Sequence, residues 1–231
     1  MLIVAVICAT SGALILGAAW GLWGRFPAKL EGFLVAMAGG ALIISVVSEL
    51  LEPASEKAAL WLVLAAFGCG SVVFTAVDTW IDNRVGEDSG AGLLAAIVLD
   101  GIPENVALGV VLITVEPMAV LALAGSIFLS NLPEAAGGAR EMANNGWSRG
   151  KILGVWALTA AVLSAAAILG YLLLSPVAEI PLAIIQAFAA GAVVSSLATE
   201  VFPKAYKQDQ ELTGIAVAIG VILAFALHQI G

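Results

Sequence analysis

The stretch AMAGGALIISVVSELLEPA, residues 36–54, aligns without a gap to AFAAGAVVSSLATEVFPKA, residues 187–205. Both stretches place small residues early in an apolar run and one glutamate near its end, and these glutamates are Glu49 and Glu200. Independent origin is the alternative, because small residues four apart are a common helix-packing device. The coincidence of small residues, a hydroxyl and a glutamate favours an internal repeat of one long apolar helix.

The composition around this repeat is that of a membrane protein. Hydrophobic residues make up 61% of the chain and charged residues 11%, and the mean hydropathy is +1.07. A soluble domain is about half apolar and about a quarter charged, so this chain has too few charges to build a water-facing surface. The sequence therefore predicts an all-α integral membrane protein whose main partner is the lipid bilayer.

The apolar runs predict eight transmembrane helices in one domain, 1–231. A spanning helix needs about 20 apolar residues, and the spans are expected at about 2–23, 31–51, 58–81, 90–114, 117–138, 152–174, 180–202 and 212–230. The first run lacks the basic n-region of a signal peptide, so we interpret it as a helix. The repeat falls on the second and seventh helices, which run in opposite directions in an eight-span chain. This predicts an inverted 3+2+3 arrangement.

The basic residues predict the orientation of the helices. Cytoplasmic loops carry an excess of Lys and Arg. If both termini are extracytoplasmic, eight of the nine basic residues lie in cytoplasmic loops and only Lys57 lies outside. We therefore expect both termini to be extracytoplasmic, in a multi-pass protein of the plasma (inner) membrane of a prokaryotic cell. The net charge of −8 and the lone His228 do not suggest nucleic acid. No HExxH or GxSxG motif is present, so we expect no enzyme and no cofactor.

Two acidic motifs lie well inside the fourth and fifth predicted helices. The fourth reads AAIVLDGIPENVALGV over residues 95–110, and the fifth reads AGSIFLSNLPEAAGGA over residues 124–139. Asp100 precedes Glu104 by four residues and Ser130 precedes Glu134 by four, which puts each pair on one helix face. Ionisable groups at membrane depth are costly, so these residues are a functional-site hypothesis.

The three carboxylates need something to neutralise them, and no Lys or Arg falls inside a predicted span. Either some of them are protonated or a cation lies between them. Pro103 and Pro133 cannot donate to the carbonyls of Leu99 and Leu129, so each proline frees an oxygen beside the acids. Carboxylate and carbonyl oxygens are ligands for hard divalent cations. The alternative is that the motifs are hydrogen-bonding contacts between helices.

At these residues the chain resembles the ZIP (Zrt/Irt-like) metal transporter family. The resemblance implies eight helices with both termini outside, an inverted symmetry, a homodimer, and a unit of helices 1, 4, 5 and 6 that moves against helices 2, 3, 7 and 8. Carried over to this sequence, Glu104 and Glu134 match the metal-bridging glutamates and Asn131 matches a motif asparagine. The metal ligands so implied are Asp100, Glu104, Ser130, Asn131 and Glu134, with Glu49 and Glu200 as secondary candidates near the span ends.

The departures from the family concern the choice of ion. Asp100 and Ser130 stand where ligand histidines are usual, Gly101 replaces an asparagine, and the histidine-rich third loop is absent. Oxygen ligands favour magnesium, calcium or manganese, whereas imidazole suits zinc and iron. We expect a transported divalent cation, with manganese, zinc, iron and magnesium left open. The alternatives are a proton-coupled transporter of a small organic solute, and a relative that lost metal binding and does not transport.

Overall fold

The chain is all-helical, as the sequence predicts. The computed structural model describes residues 2–24, 27–85, 90–114 and 117–230, and these residues contain no strand. They form eight long helices: α1 Leu2–Trp23, α2 Ala28–Lys57, α3 Leu60–Val85, α4 Gly90–Thr114, α5 Pro117–Asn144, α6 Arg149–Leu174, α7 Glu179–Gln208 and α8 Thr213–Ile230.

Five of these helices are long and apolar enough to cross a membrane. Over the described residues they are α1, α2, α3, α6 and α7. Shorter apolar helical stretches cover Gly101–Ile113 within α4 and Thr213–Gln229 within α8. These long apolar helices are consistent with a multi-pass membrane protein.

α2 and α7 extend beyond the predicted ends at 51 and 202. Each contains one π-helical turn, Val47–Leu51 in α2 and Leu197–Val201 in α7. A proline follows directly, Pro53 in one helix and Pro203 in the other, in the first turn of a new α-helical segment. Proline is tolerated there because it has no N–H to leave unpaired. Since hydropathy and proline position alone would end both helices earlier, the π-helical turns are what the sequence-based boundaries missed.

The helices pack as four pairs, which form two groups. α1 packs along α5 and α4 along α6, and these four helices also contact one another. α2 packs along α8 and α3 along α7. Contacts of α2 with α5 and of α7 with α4 join the two groups. A cluster of buried side chains from α2, α4, α5 and α7, which includes Leu42, Leu108, Ile127 and Val193, fills the space between them.

The α2/α8 and α3/α7 pairs cross at glycines. Gly40 of α2 faces the carbonyl of Val217 on α8, and Gly191 of α7 faces the carbonyl of Phe67 on α3. The reciprocal contacts are Gly220 against Met37 and Gly70 against Phe188. A Cβ atom at any of these glycines would overlap a backbone oxygen, so only glycine permits so close an approach.

Candidate functional site

Glu104 and Glu134 come together between α4 and α5. Both helices continue through their internal prolines, Pro103 and Pro133. Glu104 is buried at 6% exposure and Glu134 is partly buried, and the two carboxyl groups are close enough for electrostatic repulsion. The structure thus juxtaposes the two acids that the Pro–Glu motifs single out.

The polar residues beside Glu134 are also buried. Ser130 and Asn131 lie one turn earlier on α5. The Asn131 side chain donates a hydrogen bond of 3.2 Å to the backbone carbonyl of Thr10 on α1, which ties the motif to that helix. On α4, the buried Asn105 side chain donates a hydrogen bond of 2.8 Å to the carbonyl of Gly101, one turn earlier in the same helix. The side-chain amides of both motifs therefore each pair with a backbone oxygen.

For Asp100 the structure describes the backbone alone. It lies on α4 four residues before Glu104, but its side chain is outside the described residues. Among the described side chains, no group of three or more His, Cys, Asp and Glu gathers in a way that could hold a metal. That count leaves Asp100 out, so the described acids of the site are Glu104 and Glu134.

The positive charge that acts on Glu134 comes from Lys204, which lies outside the two Pro–Glu motifs. Within the described residues, neither Glu104 nor Glu134 forms an ion pair with Lys or Arg. The more distant charges that act on Glu134 are Lys204 of α7 and Glu31 of α2, which have opposite signs. The site is therefore acidic and lies next to the contact of α5 with α2.

Glu49 and Glu200 both lie in the π-helical turns. Glu49 is buried, and its carboxylate Oε1 is 3.2 Å from Nδ1 of His228 at the end of α8. Glu200 is partly buried in the corresponding turn of α7. π-helical turns are rare and occur frequently at functional sites. The histidine contact of Glu49 is one that the sequence did not predict.

A second polar cluster, also missed from the sequence, lies at the other end of α2. Glu31 is almost completely buried, and Arg140 of α5 donates to its carboxylate at 2.6 Å. Gln208 of α7 donates to the other carboxylate oxygen at 2.6 Å. Its members are 109 and 177 residues apart, so no local pattern signals the cluster.

No protein-family model matches this chain, and no curated protein matches it.

Proposed function

We propose that this protein is a ZIP-like transporter that moves divalent metal cations toward the cytoplasm through an oxygen-rich site in the membrane. The observation that carries the proposal is the electrostatic contact between Glu104 and Glu134 on two proline-containing helices, where neither acid forms an ion pair with a described Lys or Arg. A buried and a partly buried carboxylate that repel one another are stabilised by a cation between them. Hard divalent ions bind such oxygen clusters.

The proposal includes eight membrane spans in an inverted 3+2+3 frame with both termini extracytoplasmic. Support comes from matched contacts in the two halves of the chain. The α2/α8 pair and the α3/α7 pair cross at glycines in the same way, and Gly191 follows Gly40 by 151 residues as in the sequence repeat. In the proposed repeat α1 corresponds to α6 and α5 to α4, so the packed pair α1/α5 corresponds to the packed pair α6/α4. The two π-helical turns fall at matching places in α2 and α7.

In the proposed mechanism, the helices divide into two groups. The α1, α4, α5 and α6 group carries the site, and the α2, α3, α7 and α8 group forms the frame. The cation binds between Glu104 and Glu134, with Ser130, Asn131 and Asp100 completing its oxygen shell. Movement of the first group against the second exposes the site to one side of the membrane and then to the other. The oxygen donors favour manganese or magnesium over zinc as the preferred ion.

Uptake into proteoliposomes tests the proposal. We expect vesicles that contain the protein to take up Mn²⁺, and we expect Glu104→Gln and Glu134→Gln to lower the initial rate by about tenfold or more. Each loses a charged ligand, and charge-assisted contacts of this kind are worth at least about 1.5 kcal/mol, which is tenfold in binding. The matched control is Glu141→Gln, because Glu141 is exposed on the same helix as Glu134 and its loss should leave the rate unchanged.

Equilibrium binding separates this function from the alternatives. A protein that binds no Mn²⁺, Zn²⁺, Fe²⁺ or Mg²⁺ at neutral pH would contradict metal transport and favour proton-coupled transport of an organic solute. A protein that binds the ion without uptake in vesicles would favour a relative that does not transport. Competition among the four ions against bound Mn²⁺ then identifies the preferred substrate.

A further inference from the structure

The buried Glu31 carboxylate is shared by two other helices. One oxygen accepts from Arg140 of α5 and the other from Gln208 of α7, each at 2.6 Å. The exposure of the two charged side chains differs sharply, with Glu31 at 1% and Arg140 at 34%. The arginine side chain is therefore partly exposed while bound, and the carboxylate is not.

Glu31 lies one helical turn from the proposed metal site. Gly137 is three residues after Glu134 and three residues before Arg140, so it neighbours each of them on the surface of α5. Glu31 packs over Gly137, where a Cβ atom would overlap its carboxylate oxygen. Its negative charge acts on Glu134. Toward the C-terminal end of α5, Glu134 is thus followed by Gly137, which Glu31 of α2 covers, and then by Arg140.

The cluster keeps an unused oxygen. The Gln208 side-chain oxygen Oε1 is buried and accepts no hydrogen bond from the described residues. It belongs to the same amide that donates to Glu31. If the Arg140 guanidinium moved away, Glu31 Oε2 would lose its donor, while the amide that carries Gln208 Oε1 stays bonded to Glu31 Oε1. Glu31 Oε2 and Gln208 Oε1 are both oxygen donors of the kind that bind hard divalent cations.

We propose that Arg140 is a tethered cation that closes this end of the pathway, and that Glu31 is a further cation-binding residue. The inference rests on the proposed function. A divalent ion leaving Glu134 displaces the guanidinium from Glu31, which binds the ion together with Gln208 Oε1 and water. When the ion departs, Arg140 returns and the carboxylate is again paired. The buried charge of Glu31 is therefore compensated at both stages.

Equilibrium binding of Mn²⁺ to the purified full-length chain in detergent tests this proposal without relying on transport. We expect Arg140→Gln to bind one more Mn²⁺ per chain than the wild type, because the emptied Glu31 takes an ion. The double variant Glu31→Gln/Arg140→Gln should lose that additional ion. Arg140→Lys keeps a tethered charge and is the matched control, with the wild-type stoichiometry expected.

The Glu104→Gln variant distinguishes failure of this inference from failure of the proposed function. Loss of the wild-type ion in Glu104→Gln reports on the Glu104–Glu134 site, whereas the gain in Arg140→Gln reports on Glu31. An unchanged stoichiometry in Arg140→Gln overturns the inference even if the first site binds normally. A gain that persists in the double variant overturns it as well, since the ion would then lie elsewhere.

Folding is checked by circular dichroism and size-exclusion chromatography. Arg140→Met, which keeps the aliphatic stem, serves as a second variant. Recovery of either single variant by added Mn²⁺ supports the proposal, because the ion would replace the guanidinium. If both single variants and the double variant fail to fold whether or not Mn²⁺ is present, the pair is a structural tie and the proposal is wrong.

Discussion

α2 carries a buried carboxylate near each of its ends, and the two are held in different ways. Glu31 is bound by Arg140 of α5 and Gln208 of α7. Glu49 is bound by His228 of α8. The two acids are 18 positions apart, about 27 Å along the helix at ~1.5 Å per residue. The partner of Glu31 is thus an arginine, which is always charged, whereas the partner of Glu49 is an imidazole.

The two carboxylates connect α2 to different helices. Glu49 joins α2 to α8, a pair that Gly40 and Gly220 already bring into close contact. Glu31 joins α2 to α5, two helices that belong to different groups in the proposed mechanism. We therefore expect changes at Glu31 to affect both stability and ion handling more than changes at Glu49.

The largest effect is expected for Arg140→Ala. It leaves the Glu31 carboxylate buried without its cation, and breaking a buried pair costs about 3–5 kcal/mol. Because Arg140 is one-third exposed, we expect a loss of about 3 kcal/mol in the free energy of unfolding. SDS titration in mixed micelles measures it. The double variant Glu31→Gln/Arg140→Ala should recover most of the loss, and a double variant as unstable as Arg140→Ala would contradict a charge-based cause.

Gly137→Ala is expected to have a smaller effect at the same end. The added methyl group would overlap the Glu31 carboxylate, and overpacking of this kind costs about 1–3 kcal/mol. The matched control is Gly125→Ala on the same helix, where a Cβ atom meets no atom within 4 Å. There the better helix propensity of Ala should raise stability by up to about 1 kcal/mol. Equal effects at the two glycines, measured by the same SDS titration, would disprove the packing of Glu31 over Gly137.

The smallest effect is expected at the other end of α2, for His228→Ala. It removes one hydrogen-bond partner of Glu49, and loss of a partner to a buried acceptor costs about 1–3 kcal/mol. His228 is partly exposed and water can replace it, so we expect about 1 kcal/mol. His228→Gln keeps a donor and should lose less than His228→Ala in thermal unfolding followed by circular dichroism. A loss in His228→Ala larger than in Arg140→Ala would reverse the comparison between the two ends.

The sequence predicted the local features of the fold well. The runs of apolar residues place helices at Leu2–Trp23 and Gly90–Thr114, and the AxxxG pattern of α2 contains Gly40, which does make a close helix contact. Helical structure in α2 and α7 continues past the predicted span ends, because a π-helical turn allows Pro53 and Pro203 to begin a new helical segment. Helix existence depends on local composition, but such a turn depends on tertiary packing.

The candidate site could be predicted only where it depends on local sequence. Glu104 and Glu134 each stand in a short motif on consecutive helices, so their meeting could be expected from the sequence. Glu31 with Arg140, and Glu49 with His228, are joined only by the packing of helices far apart in the chain. A single sequence contains no signal for such pairings, because any buried acid could be matched with several bases. Asp100 stays a prediction, since its side chain is outside the described residues.

The glycine crossings have a consequence for how this chain tolerates substitution. Gly40 and Gly191 meet the same steric limit, and so do Gly70 and Gly220, although their surroundings differ in side-chain identity. A saturation library of the whole chain, scored for folded protein, should therefore show two profiles of intolerance that superimpose when one is shifted by 150 to 151 positions, the spacings of Gly70 to Gly220 and of Gly40 to Gly191. The mutational data would then identify the two halves as copies of one another, even at positions where their residues differ.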